Sequence, residues 1–473
     1  YFDVVSPIDG KIFTKVAHST KEDIALAVDT AYEAFKSWKN TSATERSVML
    51  NKIADRIEQN LDYIAAVETV DNGKAVRETL AADIPLAIDH FRYFASVIRA
   101  EEGSHNELDK DTVSLIVNEP LGVVAQIIPW NFPILMAVWK LAPALAAGNC
   151  VVLKPAESTP VSIMVLMELI GDLIPDGVVN LVHGSGRVVG NKLVTSPDVD
   201  LISFTGSTEV GIDISEKAAK TLKRVSLELG GKNAVILMDD ANLDLALDGV
   251  LWGAFGTTGQ RCTATSRLII HEKIHDNFVK LLVEKTSKLN VGNGLDPATD
   301  MGPCINSAQR NVVESYVKIG LDEGAKLACG GERLSTGRHS KGWFFQPTIF
   351  TSVTPDMRIA KEEIFGPVLS VIKVKDLDEA ISVQNNTQYG LSSSIYTENV
   401  NDAFKAVRDI KAGITYINGP TIGAEAHMPF GGVKQTGNGH REGGWTVYDF
   451  YTEWKTVYFD YSGKLQKAQI DNN

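Results

Sequence analysis

Residues 122–133 read Gly-Val-Val-Ala-Gln-Ile-Ile-Pro-Trp-Asn-Phe-Pro, a short apolar run that ends in a turn bracketed by two prolines. Similar runs rich in Val and Ile recur downstream, and the full set comprises Val123–Ile128, Cys150–Leu153, Val178–Val182, Leu201–Phe204 and Val225–Leu229. Runs that are apolar on both faces, separated by helical stretches, are typical of a parallel sheet covered by helices. Right-handed crossovers bring the carboxyl ends of such strands to one edge, where open α/β sheets bind ligands. The sequence therefore predicts an α/β fold with a ligand site at that edge.

The segment upstream of this region predicts helices. Ser19 or Thr20 can cap a helix, with Glu22 as the capping-box partner of Ser19. A largely helical region then continues to about Glu101, with few Gly or Pro interruptions. We interpret this opening part of the chain as scaffold.

The segment downstream predicts a second α/β domain between Ala234 and about Phe430. Its candidate strands are Leu268–Ile270, Val368–Ile372, Ser393–Tyr396 and Ile414–Ile417. Further on, Tyr451–Phe459 alternates like an edge strand. Because a bare apolar edge promotes aggregation, we expect this strand to pair with another subunit.

Length and charge exclude several classes of protein. A chain of 473 residues is too long for a single hydrophobic core, which predicts more than one domain. A formal net charge of -13 and a sequence pI near 5.3 disfavour binding to nucleic acid or anionic membranes. The longest apolar stretch, residues 133–148, is interrupted by Lys140 and Pro143 and is too short to span a bilayer. Tyr1 opens no secretion signal, so we expect a cytoplasmic protein.

The cysteines indicate where a nucleophile can lie. Cys150, Cys262, Cys304 and Cys329 are far apart, which predicts free thiols in a reducing compartment and no metal site. Cys262 follows a small, glycine-bearing loop, Gly256-Thr257-Thr258-Gly259-Gln260-Arg261. A neighbouring cation or a polar backbone can favour the reactive thiolate, and Arg261 offers such a charge. A buried cysteine that serves as a small apolar residue is the alternative.

Two polar residues near the ends of predicted strands complete a catalytic hypothesis. Glu228 lies within Leu227-Glu228-Leu229-Gly230-Gly231-Lys232, and burial between leucines would raise its carboxyl pKa toward the range of a general base. Asn131 lies in the proline-bracketed turn, where its side-chain amide can stabilise a developing oxyanion. A solvated glutamate and an ordinary turn asparagine are the alternatives.

Other strand ends carry candidates for binding phosphate and ribose. Lys154 and Glu157 can hold ribose hydroxyls, and Phe204-Thr205-Gly206-Ser207 opens a helix whose first N–H groups can accept a phosphate. Residues 183–190 contain glycines at a spacing one residue longer than the usual dinucleotide fingerprint, with Gly186 and Gly190 among them. An ordinary loop between strand and helix explains these glycines equally well.

Seven motifs follow one another in an order that resembles the aldehyde dehydrogenase superfamily over essentially the whole chain. They are Pro-Trp-Asn-Phe-Pro, Lys-Pro-Ala-Glu, Phe-Thr-Gly-Ser, Leu-Glu-Leu-Gly-Gly-Lys, Gly-Gln-Arg-Cys, Glu362-Glu363-Ile364-Phe365-Gly366-Pro367 and Pro429-Phe430-Gly431-Gly432. The resemblance implies an NAD(P)-dependent, non-acylating enzyme. It also implies a Rossmann-type dinucleotide-binding domain, an α/β catalytic domain and a small β oligomerisation arm.

The resemblance implies roles for individual residues. Cys262 would attack the aldehyde carbonyl, the Asn131 amide and the Cys262 backbone N–H would hold the oxyanion, and Glu228 would activate water to hydrolyse the thioester. Lys154 is implied in catalysis and, with Glu157, in an adenosine-ribose clamp. Because Glu157 would repel a 2′-phosphate, NAD is expected, with NADP as the alternative. The cofactor set implied is Ile127, Ile128, Pro129, Trp130, Lys154, Glu157, Gly186, Gly190, Phe204, Gly206, Ser207, Leu229, Glu363 and Phe365.

The resemblance further implies domain limits and partners. The dinucleotide-binding domain would comprise residues 1–98 and 120–230, the catalytic domain residues 231–436, and the oligomerisation arm residues 99–119 and 445–473. A small-molecule aldehyde and further copies of the chain, in a homodimer or homotetramer, are the expected partners. A coenzyme A-acylating dehydrogenase, which typically lacks the glutamate, and a non-catalytic relative are the alternatives.

The identity of the aldehyde is open at this point. Arg261 can pair with the distal carboxylate of a dicarboxylic semialdehyde, or it can point away and be structural. His427 lies in another region that lines the substrate tunnel in relatives. Residues 71–160 resemble members that act on simple aliphatic aldehydes, whereas the residues after about Met301 resemble semialdehyde-oxidising members.

Overall fold

The computed structural model describes residues 1–464. Its strands are β1 (Phe2–Val5), β2 (Ile12–Val16), β3 (Ser104–Asp109), β4 (Thr112–Pro120), β5 (Val123–Ile127), β6 (Cys150–Lys154), β7 (Val179–Leu181), β8 (Leu201–Thr205), β9 (Arg224–Glu228), β10 (Asn233–Leu237), β11 (Thr265–His271), β12 (Lys326–Cys329), β13 (Thr348–Thr351), β14 (Val368–Val374), β15 (Tyr389–Gly390), β16 (Ser392–Tyr396), β17 (Ile414–Ile417), β18 (Val433–Lys434) and β19 (Thr452–Asp460). Its α-helices are α1 (Lys21–Trp38), α2 (Ala43–Gln59), α3 (Leu61–Asn72), α4 (Val76–Glu78), α5 (Ile84–Val97), α6 (Pro133–Ala147), α7 (Val161–Ile170), α8 (Asn191–Thr195), α9 (Thr208–Ala219), α10 (Leu243–Phe255), α11 (Glu272–Thr286), α12 (Ser307–Asp322), α13 (Arg358–Lys361), α14 (Leu377–Asn385), α15 (Val400–Asp409) and α16 (Tyr448–Tyr451).

The first sheet consists of parallel strands in the order β7-β6-β5-β8-β9. Every residue of β5, β6 and β8 is buried, as expected for strands with helices on both faces. The predicted apolar runs coincide with these strands, and no end differs by more than one residue. The predicted α/β fold is therefore confirmed.

The second sheet has the order β12-β13-β14-β11-β10-β16-β17, in which β12 is antiparallel to β13 and the other neighbours are parallel. Ala234 and Ile236 of β10 enter one hydrophobic core, and Val235 and Leu237 enter another on the opposite face. Strand β11 is longer than the apolar run that predicted it. Its polar residue Arg267 is buried because its guanidinium donates to backbone carbonyls, including that of Lys232 at 2.6 Å.

The third sheet is antiparallel, with the order β19-β4-β3. Strand β19 begins one residue later than predicted, because Tyr451 ends α16 and is buried in the core around the first sheet. On β19, Trp454, Tyr458 and Phe459 are all more than half exposed. Of the predicted arm, residues 465–473 lie outside the described residues.

Helix α1 is capped by Thr20, one of the two residues predicted, but the capping-box partner differs. The Thr20 hydroxyl accepts a hydrogen bond from Asp23 N at 3.2 Å, and the Asp23 carboxylate accepts one from Thr20 N at 2.8 Å. The predicted box of Ser19 and Glu22 is wrong, because the Ser19 hydroxyl instead accepts a hydrogen bond from His183 N at 3.0 Å. Both pairs have the same spacing, so the sequence pattern alone does not separate them.

Helix α6 contains the longest apolar stretch and is buried along its whole length within the protein. Throughout residues 1–464, the structure has no helix that is long and apolar enough to cross a membrane. The apolar character of α6 is explained by its packing against neighbouring helices such as α5.

The parallel strands of the first sheet place several loops at one edge. Strand β5 leads into the turn that contains Asn131, β8 leads into Gly206 and Ser207, and β9 ends at Glu228. The Gly206 N–H donates to the Glu228 carbonyl at 3.1 Å, which joins two of these strand ends directly.

We predict that Thr20→Ala lowers the free energy of unfolding by about 1 kcal/mol, because it removes the side-chain cap of α1. Glu22→Ala serves as the control and should have a smaller effect, since Glu22 makes no part of the observed cap. Denaturant midpoints of the two variants give the comparison. An equal or larger loss for Glu22→Ala would contradict this description of the helix start.

Candidate active site

A cavity of about 370 Å³ lies at the carboxyl edge of the first sheet. Its wall contains the three residues of the catalytic hypothesis, Asn131, Glu228 and Cys262, which come from three separate motifs. Glu363 and Phe365 also line it, although they are far away in the sequence. The fold therefore brings one thiol, one amide and two carboxyl groups to a common space.

The loop before Cys262 has an unusual backbone. After α10 ends, Thr257 and Thr258 adopt left-handed conformations with φ of 52° and 60°. β-Branched residues rarely adopt such angles, so surrounding bonds must hold this loop in place. On the other side of Cys262, its carbonyl accepts a hydrogen bond from Asn233 Nδ2 at 2.7 Å.

The Cys262 thiol is partly exposed toward the cavity. Burial in the surrounding protein raises its pKa well above the ordinary value, and the negative charges of Glu228 and Glu363 raise the pKa further. Hydrogen bonds from the backbone at Thr263 and Cys262 act in the opposite direction and favour the thiolate. The positive charge of Arg261, which was predicted to favour the thiolate, pairs with the Glu78 carboxylate instead.

The Glu228 side chain is only 2% exposed, at the end of β9. Burial raises the pKa of this carboxyl well above its usual range, and the nearby Glu442 raises it further, while Lys140 and Arg441 lower it. Lys140 forms a buried ion pair with Glu442. Among the described residues, Glu228 Oε1 has no hydrogen-bond partner, so one oxygen of the carboxyl is free to accept a proton or a water hydrogen.

The Asn131 side chain connects the first sheet to the loop that carries the nucleophile. Its Nδ2 donates to the Gln260 carbonyl at 2.8 Å, two residues before Cys262. The backbone carbonyl of Asn131 accepts a hydrogen bond from Asn72 Nδ2 at 3.2 Å. Because an amide nitrogen carries two hydrogens, Asn131 retains a second donor for an oxyanion.

The residues after β8 fit the phosphates of a dinucleotide. Gly206 and Ser207 line the cavity at the start of α9, where the first backbone N–H groups and the helix dipole favour an anion. The Thr205 hydroxyl also faces this region and, within residues 1–464, is buried without a hydrogen-bond partner. An orphaned hydroxyl next to a helix N-terminus is consistent with a polar ligand in this space.

Glu363 lies beside the glycines that follow β9. Its Oε1 accepts a hydrogen bond from Gly231 N at 2.9 Å, and burial raises the pKa of its carboxyl to about 7. A side chain at Gly230 would collide with this carboxylate, which explains the glycine there. Phe365 packs edge-on against Trp130 with ring centroids 5.3 Å apart, so the two motifs meet at the cavity.

Several predicted cofactor residues are not part of the cavity wall. Lys154 ends β6, where its Nζ donates to the Pro155 carbonyl at 2.9 Å and burial lowers its pKa to about 8. Gly190 leaves open space beside Lys154 and Ile127. Ile128 and Phe204 of this group are buried, whereas Glu157 and Gly186 are exposed. The structure therefore does not place Lys154 among the described residues that share the cavity with Cys262.

The cavity wall also includes a residue, Asp83, that belongs to none of the sequence motifs. Asp83 lines the cavity and accepts a hydrogen bond from Lys74 Nζ at 2.6 Å, and both side chains are almost completely buried. Lys74 Nζ also lies 3.7 Å from the centre of the Phe132 ring. Lys74 and Asp83 belong to the segment that we interpreted as scaffold, and only the structure shows that Asp83 reaches the cavity.

Arg261 is part of the cavity wall, whereas His427 is not. Arg261 lines the cavity, and its Nη2 donates to the carboxylate of Glu78 at 2.9 Å while its Nε donates to Thr257 Oγ1 at 2.9 Å. His427 is exposed and, among the described residues, is not part of the cavity lining. Gly423 and Ala424 of the same stretch do line the cavity, so the part of His427 in substrate binding stays a prediction.

Fold and site together define an α/β enzyme with a cysteine thiol at a ligand-binding sheet edge, and comparison with known proteins identifies the family. The aldehyde dehydrogenase family matches residues 1–457. An aldehyde dehydrogenase of Deinococcus radiodurans is 50% identical over 468 residues, which cover 98% of this chain and 90% of the relative. A long-chain-aldehyde dehydrogenase of Acinetobacter is 48% identical over 471 residues, which cover 98% of this chain and 92% of the relative.

Comparison with solved structures gives the same result. The crystal structure of betaine aldehyde dehydrogenase from Staphylococcus aureus in complex with NAD+ has a TM-score of 0.95 and 38% sequence identity, and the match covers 98% of this chain and 92% of that chain. The chain belongs to the aldehyde dehydrogenase family. It is an oxidoreductase that acts on aldehydes, as the sequence resemblance predicted.

We predict that alkylation of the native protein labels Cys262 and Cys329, which are partly exposed, but not Cys150 and Cys304, which are fully buried. Because its pKa is raised, labelling of Cys262 should increase about tenfold per pH unit from neutral pH upward. Peptide mass spectrometry measures each site separately. Early labelling of Cys304 would contradict the burial described here.

Proposed function

We propose that this enzyme oxidises uncharged aliphatic aldehydes to carboxylic acids with NAD as the hydride acceptor. The observation that carries the proposal is the convergence of Cys262, Asn131 and Glu228 on one cavity. Each supplies a chemical group that the reaction requires, and none is adjacent to another in the sequence.

The first step is attack of the Cys262 thiolate on the aldehyde carbon, after the thiol proton has passed to solvent water. A carbon–sulfur bond forms, and the carbonyl oxygen becomes an oxyanion. The free N–H of the Asn131 amide and the backbone N–H of Cys262 are the donors for that oxygen. Donors of this kind typically contribute ~3 to 4 kcal/mol to transition-state stabilisation, because they are oriented before the charge develops.

The cofactor is assigned to the region between the start of α9 and Glu363. Gly206, Ser207 and the orphaned Thr205 hydroxyl fit the phosphates, and the carboxylates of Glu363 and Glu157 fit ribose hydroxyls. When bound, NAD supplies the acceptor for the hydride that leaves the former aldehyde carbon. Glu157 supports NAD over NADP, because a carboxylate repels a 2′-phosphate.

The last step releases the acid from the resulting thioester. Glu228 removes a proton from a water molecule, the hydroxide adds to the thioester carbon, and the Cys262 thiolate leaves. A raised pKa suits this role, because the carboxylate then binds the proton strongly enough near neutral pH. The base form of Glu228 increases as the pH rises, so hydrolysis is expected to accelerate in the same direction. A buried glutamate at this place also argues against transfer of the acyl group to coenzyme A.

The wall of the cavity supports an uncharged substrate. Its apolar members include Leu86, Phe132, Leu135, Met136, Trp139 and Phe430. Trp139 packs edge-on against Phe430 at 4.7 Å and stacks on His90, whose pKa burial lowers to about 4. His90 is therefore neutral at physiological pH and adds no charge behind this wall. The similar enzyme from Acinetobacter is a long-chain-aldehyde dehydrogenase, which supports an apolar substrate.

The remaining assignments concern assembly and location. We propose that the antiparallel sheet of β3, β4 and β19 is an oligomerisation arm for a homodimer or homotetramer, because β19 presents Trp454, Tyr458 and Phe459 to solvent. The division into residues 1–98 with 120–230, 231–436, and 99–119 with 445–473 is part of the same proposal. A cytoplasmic location likewise remains a prediction.

We predict that Glu228→Gln retains a burst of NADH of about one equivalent per site but loses steady turnover by at least about a hundredfold, since acylation proceeds and hydrolysis does not. Cys262→Ala should lose both phases. Rapid mixing with NAD and a simple aldehyde measures both. A normal steady rate in Glu228→Gln would remove Glu228 from the hydrolytic role.

We predict that kcat/KM increases along a series of unbranched aldehydes and is at least about tenfold lower for succinic semialdehyde than for butanal, which has the same number of carbons. NADH formation, measured in parallel with NADP and without coenzyme A, tests this order. A preference for the semialdehyde would favour the second candidate substrate class. Absence of any oxidation without coenzyme A would overturn the hydrolytic reaction.

A further inference from the structure

Four charged side chains form a compact group at one side of the cavity. Lys74 pairs with Asp83 at 2.6 Å, and Arg261 pairs with Glu78 at 2.9 Å. The two pairs are close enough that the charges of Glu78 and Arg261 both influence the Asp83 carboxyl. With two positive and two negative side chains, the group has no net charge when all four are ionised.

Within this group, Glu78 is the partner that occupies Arg261. The Glu78 side chain is 1% exposed, whereas the Arg261 side chain is 11% exposed and faces the cavity. One carboxylate oxygen of Glu78 accepts hydrogen bonds from Arg261 Nη2 and from Thr257 Oγ1, at 2.9 and 2.6 Å. The other accepts one from the Thr257 backbone N–H at 2.9 Å. The carboxylate is thus fixed in position by the loop itself.

The position of Arg261 would otherwise favour anionic substrates. A guanidinium in the wall of a substrate cavity, next to the nucleophile, is well suited to bind a carboxylate. Its charge also lies near the aromatic rings of Trp252 and Phe132, at 4.8 and 5.4 Å from their centres. These contacts hold the side chain against the wall, and the Glu78 carboxylate cancels the attraction that a distant anion would feel.

We propose that Glu78 is a specificity-determining residue, which keeps Arg261 from binding anionic aldehydes and so reserves the cavity for uncharged ones. This inference rests on the proposed function. Glu78 acts through Arg261 and does not touch the substrate. Its removal exposes a positive charge at the cavity wall, so an aldehyde with a distal carboxylate gains an attractive interaction that an uncharged aldehyde does not.

The test compares succinic semialdehyde with butanal in the native enzyme and in Glu78→Gln. Glutamine has the same shape as glutamate and can still hydrogen-bond to Thr257, so the loop keeps its main contacts. We expect the ratio of kcat/KM for the semialdehyde to that for butanal to rise at least about tenfold, mainly through a lower KM for the semialdehyde. A loss of activity that is equal for the two aldehydes would overturn the proposal, because it would make Glu78 a purely structural residue.

Two further variants control for other causes. In the double variant Glu78→Gln with Arg261→Gln, the gain should disappear and the ratio should return to within about threefold of the native value. Asp300→Asn removes an acid whose ion pair is with Arg77 rather than with Arg261, at 2.8 Å, and should leave the ratio unchanged. An equal gain in Asp300→Asn would show a general charge effect and would overturn the specific role of Glu78.

The double variant also decides the question if Glu78→Gln alone does not fold. Because the native pair and the Gln–Gln pair are both uncharged overall, their ratios should agree. A selective loss of semialdehyde oxidation in the double variant, by more than about tenfold, would show that native Arg261 already binds carboxylates and would overturn the proposal. If the native enzyme oxidises butanal but the ratios behave otherwise than expected, the inference fails alone. If the native enzyme oxidises no aldehyde, the proposed function fails with it.

Discussion

The hydrogen bond from Asn131 Nδ2 to the Gln260 carbonyl is the contact on which the geometry of the site depends. It joins the turn after β5 of the first sheet to the loop that enters β11 of the second sheet. Without such a link, the amide and the thiol would be placed by separate cores whose relative position could vary by more than catalysis tolerates. Asn72 and Glu68 anchor the same turn from α3, through the Asn131 carbonyl and the Ile134 N–H. The opening helices therefore contribute directly to the alignment of the catalytic groups.

Burial of charge divides the cavity into two kinds of wall. On one side, Lys74 pairs with Asp83 and Arg261 pairs with Glu78. On the other side, Glu228 faces Glu442, and its raised pKa reflects a carboxyl whose burial is not offset by a direct partner. A buried charge that has an ion-pair partner rarely takes part in proton transfer, whereas a buried carboxyl without such a partner can exchange protons. The difference in pairing explains why similar residues have different roles a short distance apart.

Much of the fold could be predicted from the sequence, because buried parallel strands are apolar on both faces and stand out as short runs of Val and Ile. The ends of strands were harder to predict where a polar residue such as Arg267 is buried with its hydrogen bonds satisfied. The start of α1 was ambiguous because Ser19 and Thr20 have equivalent capping patterns. The motifs located Cys262, Glu228 and Asn131. The pairing of Glu78 with Arg261 was not predictable, because 183 residues separate them and Glu78 belongs to none of the seven motifs.

The left-handed conformations of Thr257 and Thr258 impose a limit on how stable this enzyme can become. Each such residue costs on the order of 1 to 3 kcal/mol relative to relaxed backbone, so the loop before Cys262 is a reservoir of strain within an otherwise regular fold. Glycine or asparagine at these positions would relieve that strain, and selection for thermostability alone would be expected to favour them. The same relief would loosen the bonds through which Glu78 fixes the loop. Heat resistance and a sharply oriented thiol are therefore competing demands on two adjacent residues, and a thermostable descendant of this chain would have to meet them by changes elsewhere.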